Sequence, residues 1–224
     1  MVGYAGKYPD NEGGERQYVG DVYVNFAKAE EHPTLLEDFA CKLLDKMDIS
    51  DVPMSKIDVL CGAPMGGLAF NTILGLIAKK RTVYPEKKIT ALKTENSREQ
   101  SVLAFDRHEV YAGEQVAIVE DVSNNFSTTN EMVSLIEKSG ATVAAILSFL
   151  NRSTIKDRIR EAGEKYEYIL EDGRALPVIS LVRQAFGQFR QDENEEIADM
   201  IASGRVVWKP KHEWHRLTEK AAAV

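Results

Sequence analysis

Short apolar runs alternate with longer amphipathic stretches through the middle of the chain. Apolar runs bounded by polar or turn residues predict buried strands, and they occupy residues 56–64, 115–122 and 142–151. Apolar residues recurring at helical spacing predict helices over 32–47, 67–80 and 128–140. A chain that alternates strand and helix in this way forms a mostly parallel sheet with helices on both faces. The predicted fold class is therefore α/β, with a mostly parallel twisted sheet flanked by helices.

The remaining segments have less regular patterns. Residues 1–17 are rich in Gly, Asp, Asn and Glu and predict an irregular arm, followed by one or two short strands over 17–27. Two strand-like pieces are predicted over 81–93, and residues 94–114 are polar without a recognisable period. Further along the chain we predict a helix over 154–166, a short strand within 175–189 and an acidic amphipathic helix over 193–204.

These elements predict three parts of the chain. We expect an N-terminal arm and small hood over residues 1–50, an α/β core over 51–190 and a C-terminal helical extension over 191–224. The chain has 224 residues, of which 44% are hydrophobic, and this is enough for one packed domain with a small appendage.

The charge and the cysteine content narrow the range of partners. The formal net charge of -7 argues against sequence-independent binding of nucleic acid, which requires a basic face. No apolar run approaches the ~20 residues of a membrane span, and the polar first 17 residues lack the pattern of a signal peptide. Cys41 and Cys61 have no metal or redox spacing, so we expect two buried thiols in a reducing compartment. The sequence thus predicts a soluble cytoplasmic protein with no nucleic-acid or membrane partner.

Two loops of unusual composition follow predicted strands. The stretch CGAPMGG (61–67) is rich in glycine, and EDVSNNFSTT (120–129) joins two acids to a series of hydroxyl and amide residues. In a parallel sheet such loops lie at the carboxyl edge, where ligands bind. A turn that leads into a helix presents N–H groups to an anion, and acids upstream of it can hold ribose hydroxyls or waters around Mg²⁺. The structural alternatives are a pair of solvated acids and a turn that needs glycine for packing alone.

The order of these motifs resembles that of the type I phosphoribosyltransferases, whose signature is an apolar strand, two acids and a small hydroxyl-rich loop. Within that family the resemblance is greatest to orotate phosphoribosyltransferases. It covers roughly residues 18–155 and includes YVNFAKAEEHPTLLEDFA, IDVLCGAPMGGLAFNTILG, VYPEKK and GATVAAILSFLNRS. It implies transfer of a phosphoribosyl group from phosphoribosyl pyrophosphate (PRPP) to orotate, a step of pyrimidine biosynthesis, by a homodimer. Mg²⁺ would enter with the pyrophosphate oxygens, since the sequence contains no metal-ligand cluster of its own.

The resemblance also implies roles for individual residues. Glu120 and Asp121 would bind the ribose hydroxyls of PRPP, and the guanidinium of Arg152 would pair with the carboxylate of orotate. The 5′-phosphate would be bound by Asn124, Asn125, Phe126, Ser127 and Thr128, or by Ser127, Thr128 and Thr129 if the turn is one residue longer. The pyrophosphate would meet the backbone of Ala63, Gly66 and Gly67 and the side chain of Lys87.

The polar segment 94–110 occupies the region of a loop that, in the family, closes over the site and brings cations to the leaving pyrophosphate. Its candidate cations are Lys93, Arg98, Arg107 and His108. Of these, Lys93 and Arg107 join Glu120 and Asp121 as the candidate catalytic residues. No side-chain nucleophile is required by such a reaction.

The chain departs from the family pattern at four positions. Asn124 replaces Thr or Ser, Phe126 replaces glycine, Glu86 replaces an arginine and Asn151 replaces an aspartate. Glycine at the position of Phe126 supplies a positive φ angle or space for phosphate, so the phenyl ring would have to point away from the ligand. These departures leave open a second interpretation, in which a catalytically silent protein of the same fold is a PRPP or nucleotide sensor or a structural partner subunit.

Overall fold

The computed structural model describes residues 1–10, 14–91, 100–155, 158–163 and 165–218. The chain divides into two compact units, one formed by residues 26–184 and the other by residues 1–25 together with 185–224. The predicted hood, core and extension have different boundaries, because residues 26–50 lie in the larger unit. The division into a hood, a core and an extension stays a prediction.

The described residues form eleven strands and six α-helices. The strands are β1 (Val2–Pro9), β2 (Glu15–Gly20), β3 (Val59–Gly62), β4 (Arg81–Val83), β5 (Glu86–Ala91), β6 (Gln100–Ala104), β7 (Gln115–Ser123), β8 (Thr142–Asn151), β9 (Ile159–Ala162), β10 (Lys165–Ile169) and β11 (Ala175–Arg183). The helices are α1 (Ala27–Glu30), α2 (Pro33–Asp48), α3 (Gly67–Ala78), α4 (Ser127–Lys138), α5 (Glu195–Ala202) and α6 (Trp214–Thr218). The predicted helices of the middle are confirmed as α2, α3 and α4, and the predicted strands as β3, β7 and β8.

The larger unit is built on a seven-stranded sheet with the order β4-β3-β7-β8-β11-β10-β9. The first five strands of this order are parallel, and β10 and β9 add an antiparallel edge. From β3 the chain crosses through α3 to β4 on one side, whereas from β7 it crosses through α4 to β8 on the other. The direction of winding therefore reverses between β3 and β7, and ligands of doubly wound sheets bind at such a switch point. The predicted fold class is confirmed.

Alternate residues of the central strands face two separate hydrophobic cores. Val116 and Ile118 of β7 belong to the core that contains Met132 and Ile136 of α4. Ala117 and Val119 belong to the core that contains buried residues of α2 and α3, namely Leu36, Ala40, Leu43, Met47, Phe70 and Leu74. The period of two along β7 thus directs successive side chains towards α4 and towards the α2–α3 layer.

The smaller unit contains the β1–β2 hairpin with α5 and α6. Its first 17 residues were predicted to be irregular, and this prediction is wrong. The tyrosines of the segment explain the difference, because Tyr4 and Tyr8 are buried and the Tyr8 ring lies 4.9 Å from that of Tyr18 on the partner strand. Between the two strands Gly14 N donates to the side chain of Asp10, and residues 11–13 lie outside the described residues. The predicted helix over 193–204 is confirmed as α5, and Asn194 caps it by accepting from Ile197 N at 2.9 Å.

A helix predicted over residues 154–166 is wrong, because the described part of this segment contains β9 and the start of β10. Tyr166 and Tyr168 of β10 are both buried, which is the period of a strand. The charged residues that suggested a helix instead pair across the hairpin, as Arg160 does with Glu167 at 3.1 Å. Gly163 has a φ of 62° in the connection, where a residue without a side chain is favoured.

Three further expectations are modified by the structure. Residues 94–114, predicted to be without regular structure, include β6, which pairs with β5 in an antiparallel hairpin. The predicted short strand within 175–189 is the nine-residue β11, an interior strand of the sheet. Cys61 is buried as expected, but Cys41 is exposed on the outer face of α2. Within the ranges that the structure describes, none of the helices has the length and apolar character needed to cross a membrane.

Candidate active site

The two predicted loops meet at the switch point of the sheet. One loop joins β3 to α3, and the other joins β7 to α4. The first loop is bound to the neighbouring strand, since Ala63 N donates to Val119 O at 2.8 Å. Parallel pairing of Gly62 with Val119 brings the ends of β3 and β7 to the same edge. The glycine loop and the acid pair therefore lie side by side.

Two glycines of the first loop are explained by how closely it approaches β7. A Cβ atom added to Gly66 would overlap the carboxylate of Asp121, and one added to Gly67 would overlap the carbonyl oxygen of Val119. Close packing is therefore a sufficient reason for both glycines. Approach of this backbone to pyrophosphate remains a prediction, and the contact with Gly66 fixes where the Asp121 carboxylate lies.

Glu120 faces the other helix of the site. It accepts a hydrogen bond of 3.1 Å from the hydroxyl of Thr129 in the first turn of α4, and Thr129 is only 1% exposed. Burial raises the pKa of Glu120 from 4.5 to about 8, and the charge of Asp121 adds to the increase, which the bond from Thr129 partly offsets. At neutral pH Glu120 is therefore largely protonated in the ligand-free protein. The Thr129 hydroxyl is directed to this carboxyl group.

Phe126 has an unusual backbone conformation. Its φ and ψ angles are 56° and 19°, in the left-handed region, which a residue with a large side chain adopts only with strain. The ring is 3% exposed and lies in the core, where it stacks on Tyr168 with ring centroids 4.3 Å apart and planes 19° apart. The phenyl group thus points away from the loop surface.

The loop before α4 exposes polar groups on the opposite side. Asn125 and Ser127 are exposed, and the Asn125 side-chain oxygen accepts from Ser127 N at 3.2 Å and from its hydroxyl at 3.0 Å. The first-turn amides of a helix have no acceptor within the helix. The amides of Thr128 and Thr129 therefore have no acceptor within α4.

The predicted cations occupy two separate parts of the larger unit. Arg152 follows β8, is 7% exposed and donates its backbone N–H to Ser123 O at 2.9 Å. Lys87 is exposed in β5. Arg107 donates to the carboxylate of Glu86 at 2.6 Å, and this acid raises the pKa of the guanidinium. Glu86 is thereby paired with a cation. Lys93 and Arg98 lie outside the described residues.

Several polar residues near the acids were not predicted as site residues, although the sequence singled out Asn151 as a departure from the family pattern. Ser148 pairs with Glu120 in the sheet, and Asn151 pairs with Ser123. Ser123 Oγ, Ser148 Oγ and Asn151 Nδ2 are buried and make no hydrogen bond to the part of the chain that the structure describes. In the sequence these residues are marked only weakly, as polar residues within or at the end of apolar strands. Among the described residues, no group of three or more His, Cys, Asp or Glu side chains is arranged to hold a metal ion.

A cavity of about 340 Å³ lies between α4 and the turn after β10, and no residue of the two loops, 61–67 and 120–129, lines it. Four acids and one arginine line it, namely Glu131, Glu137, Glu171, Asp172 and Arg174. Arg174 is already bound to Glu137 at 2.7 Å and to Asp172 at 2.7 Å. An acid-rich cavity of this kind does not suit a phosphorylated ligand, so the carboxyl edge of the sheet is the candidate site.

The fold is that of the type I phosphoribosyltransferases. The orotate phosphoribosyltransferase from Aeropyrum pernix superimposes with a TM-score of 0.50 at 16% identity, covering 90% of this chain and 93% of that chain. The adenine phosphoribosyltransferase from Thermoanaerobacter pseudethanolicus superimposes with a TM-score of 0.51 at 17% identity, covering 79% of this chain and 94% of that one. At such identities the likeness concerns the fold alone.

Sequence similarity points to the same class of protein. The chain is 29% identical over 135 residues to the orotate phosphoribosyltransferase of Thermotoga maritima, which covers 58% of this chain and 62% of that protein's length. It is 26% identical over 192 residues to the orotate phosphoribosyltransferase of Thermococcus kodakarensis, and the match covers 85% of this chain and 89% of that protein. An adenine phosphoribosyltransferase of Ruminiclostridium cellulolyticum is 27% identical over 125 residues, and the match covers 53% of this chain and 72% of that protein. No family model matches the chain. The predicted resemblance to phosphoribosyltransferases is confirmed.

Proposed function

We propose that the protein transfers the 5-phosphoribosyl group of PRPP to a nitrogen of orotate, releasing pyrophosphate and forming orotidine 5′-monophosphate. The observation that carries this proposal is the loop after β7. It has an acid pair at the switch point, a residue in the left-handed conformation and a helix N-terminus, in that order. Similarity to curated orotate phosphoribosyltransferases supports the choice of base.

The chemical groups of this loop suit the parts of PRPP. Amides at the start of α4 suit the 5′-phosphate, because they combine free N–H donors with the positive end of the helix dipole. Carboxyl groups of Glu120 and Asp121 suit the ribose hydroxyls, which donate hydrogen bonds to them. Mg²⁺, carried by the pyrophosphate oxygens, supplies positive charge for the leaving group when it is bound.

The proposed reaction depends on positioning and electrostatics. The bond between the sugar and pyrophosphate breaks before the bond to the base has formed, so positive charge develops on the sugar ring. The carboxylate of Asp121 stabilises that charge, joined by Glu120 when it has lost its proton, while Lys87, Lys93 and Arg107 are the proposed cations for the departing pyrophosphate. Arg107 must exchange its contact with Glu86 for one with pyrophosphate.

The base is the part of the proposal that depends on Arg152. A planar guanidinium binds a carboxylate through two parallel hydrogen bonds, and orotate carries a carboxylate whereas adenine does not. Arg152 follows β8, the neighbour of the strand that carries the acids. An adenine phosphoribosyltransferase also matches the chain, so both bases need to be assayed.

Replacement of both acids tests the mechanism. The Glu120→Gln, Asp121→Asn variant should lose at least about 100-fold in turnover, because it retains the shape of both side chains but removes the charge of Asp121 and the ability of Glu120 to ionise. Release of pyrophosphate from PRPP and Mg²⁺ is measured with orotate and, separately, with adenine. A matched control is Glu37→Gln with Asp38→Asn, an exposed Glu-Asp pair on α2, which should leave turnover unchanged. Full activity of the first variant would remove the acids from the mechanism, and turnover with adenine alone would reassign the base.

A second candidate function is a PRPP or nucleotide sensor, or a structural partner subunit, without catalysis. The ion pair between Glu86 and Arg107 favours it, because one cation proposed for the leaving group is already neutralised. Binding of PRPP without pyrophosphate release on addition of orotate would support the sensor. Absence of binding would support the structural role.

We further propose that the protein is a cytoplasmic homodimer. Both statements come from the resemblance to phosphoribosyltransferases, whose active-site loops are commonly shared across a two-fold axis. Sedimentation equilibrium of the full chain tests the dimer: a mass near that of two chains is expected, and a monomer at all concentrations would contradict it.

A further inference from the structure

Phe126 raises the question of what keeps a bulky residue in the left-handed conformation. Such a residue is under local strain, and it persists only where its surroundings hold it in place. The loop itself supplies part of that hold, because the Asn125 side-chain oxygen accepts from Ser127 N and from its hydroxyl and so spans Phe126. These bonds join Asn125 to Ser127 and do not hold the Phe126 ring. The contact that holds the ring comes from elsewhere in the fold.

Tyr168 of β10 makes that contact. Its side chain is 1% exposed, and its ring is stacked on the Phe126 ring with nearly parallel planes. Its hydroxyl accepts a hydrogen bond of 2.9 Å from the side-chain amide of Asn130. Asn130 N in turn donates to Phe126 O at 2.9 Å, at the start of α4. Tyr168 is thus joined to both ends of the first turn of this helix.

The position of Tyr168 is itself determined by the sheet. In β10 it pairs with Leu176 of β11 on one side and with Ile159 of β9 on the other. Because β11 is an interior strand, the ring projects from a framework that does not depend on the loop after β7. Rotation of Phe126 out of the left-handed region would separate two stacked rings that are both buried.

We propose that Tyr168 is the positioning residue of the phosphate loop. By holding the Phe126 ring in the core, it keeps the residues in front of α4 in the conformation that directs their amides towards a phosphoryl group. Glycine would need no such support, because it adopts the left-handed conformation without a side-chain penalty. The proposal rests on the proposed function for the identity of the anion, but the coupling of Tyr168 to the loop does not.

A double-mutant comparison separates positioning from simple stabilisation. Tyr168→Leu should weaken binding of PRPP with Mg²⁺ about 10-fold and raise the KM for PRPP, with kcat and the KM for orotate little changed. In a Phe126→Gly background the same substitution should change PRPP affinity less than about 2-fold, because the loop no longer uses the ring. Tyr168→Phe retains the stacked ring and should restore affinity to within about 3-fold of the original.

Tyr166→Leu is the matched control, because Tyr166 is a buried tyrosine of the same strand and the same core. Both leucine variants should lower the melting temperature, but Tyr168→Leu alone should weaken PRPP binding. Equal PRPP affinity in the two leucine variants would overturn the proposal. If Tyr168→Leu does not fold, Phe126→Leu removes the same ring stack from the other side and should weaken PRPP binding about 10-fold. Unchanged PRPP affinity in Phe126→Leu would then overturn the proposal.

Hydrogen exchange of the amides of residues 124–130 in the ligand-free protein supplies a readout that is independent of the ligand. Tyr168→Leu should accelerate exchange there about 10-fold, and Tyr166→Leu should not. If the wild-type protein binds no PRPP, the proposed function is refuted. Faster exchange in Tyr168→Leu, and not in Tyr166→Leu, would still support the role of Tyr168. Identical exchange in the two variants would overturn that role.

Discussion

Phe126 has a left-handed backbone conformation, which glycine adopts without a side-chain penalty. From the sequence we predicted that its ring must point away from the ligand, and the ring does lie in the core. The partner that accepts the ring, Tyr168, was not predictable, because its segment was read as helical up to residue 166 and the contact is distant in sequence. A local motif can show that a residue is unusual, whereas the tertiary contact that accommodates it depends on correct strand assignment.

Glu120 should make the stability of the ligand-free protein depend on pH. Burial raises its pKa from 4.5 to about 8, so the folded state binds this proton more tightly than the unfolded state does. The stabilisation is complete below pH 4.5 and is lost as the pH rises towards about 8. Relative to Glu120→Gln, the wild-type protein should lose on the order of 3 kcal/mol of unfolding free energy between pH 5 and pH 8.

Denaturant unfolding at pH 5, 6.5 and 8 measures this difference. Glutamine resembles the protonated acid and can still accept from the Thr129 hydroxyl, so the variant should be insensitive to pH at this site. Glu37→Gln, on the exposed face of α2, is the control and should follow the wild-type protein. Parallel pH profiles for wild type and Glu120→Gln would show that the carboxyl group is not buried as described.

In the turn between β3 and α3, Gly66 lies against a side chain and Gly67 lies against backbone. Alanine at position 67 would overlap backbone, the carbonyl of Val119, whereas alanine at position 66 would overlap the terminal atoms of the Asp121 side chain. A side chain can move aside more easily than a central strand. We therefore expect the two substitutions to have different consequences.

Gly67→Ala should destabilise the protein by on the order of 2 kcal/mol. Gly66→Ala should cost less stability but reduce PRPP binding, because Asp121 is displaced. Thermal unfolding and PRPP titration of both variants measure the contrast. Gly6→Ala in β1 is the control, since an added Cβ there would make only an ordinary contact with Tyr18 at 3.7 Å. Equal stability loss at positions 66 and 67 would contradict the distinction.

Elements with a strong period were predictable, and those that depend on long-range pairing were not. The apolar run of β7 and the helical stripe of α2 are both visible in the sequence and confirmed in the structure. The β9–β10 hairpin was missed because Lys, Arg and Glu favour helix locally, while pairing with the edge of β11 decides the conformation. Strand β1 was missed because the Gly, Asp, Asn and Glu residues of its segment concealed the buried Tyr4 and Tyr8, whereas the strand predicted over 17–27 overlaps β2.

Considered as a whole, the larger unit brings together residues that are far apart in the sequence because its winding reverses between β3 and β7. The sequence sufficed to predict the two loops at this edge and the acids within one of them. It did not predict the buried hydroxyl and amide groups of Ser123, Ser148 and Asn151. Their neighbourhood follows from strand register, which a single sequence does not specify.

The central claim is that the loop after β7 binds a phosphoryl group although Phe126 stands where the family has glycine. Calorimetric titration of the full chain with PRPP and Mg²⁺ tests this claim. We predict saturable binding with a Kd on the order of micromolar, and release of pyrophosphate when orotate is added. No heat of binding up to millimolar concentrations of PRPP, with the protein folded, would contradict the claim and leave the fold without the activity.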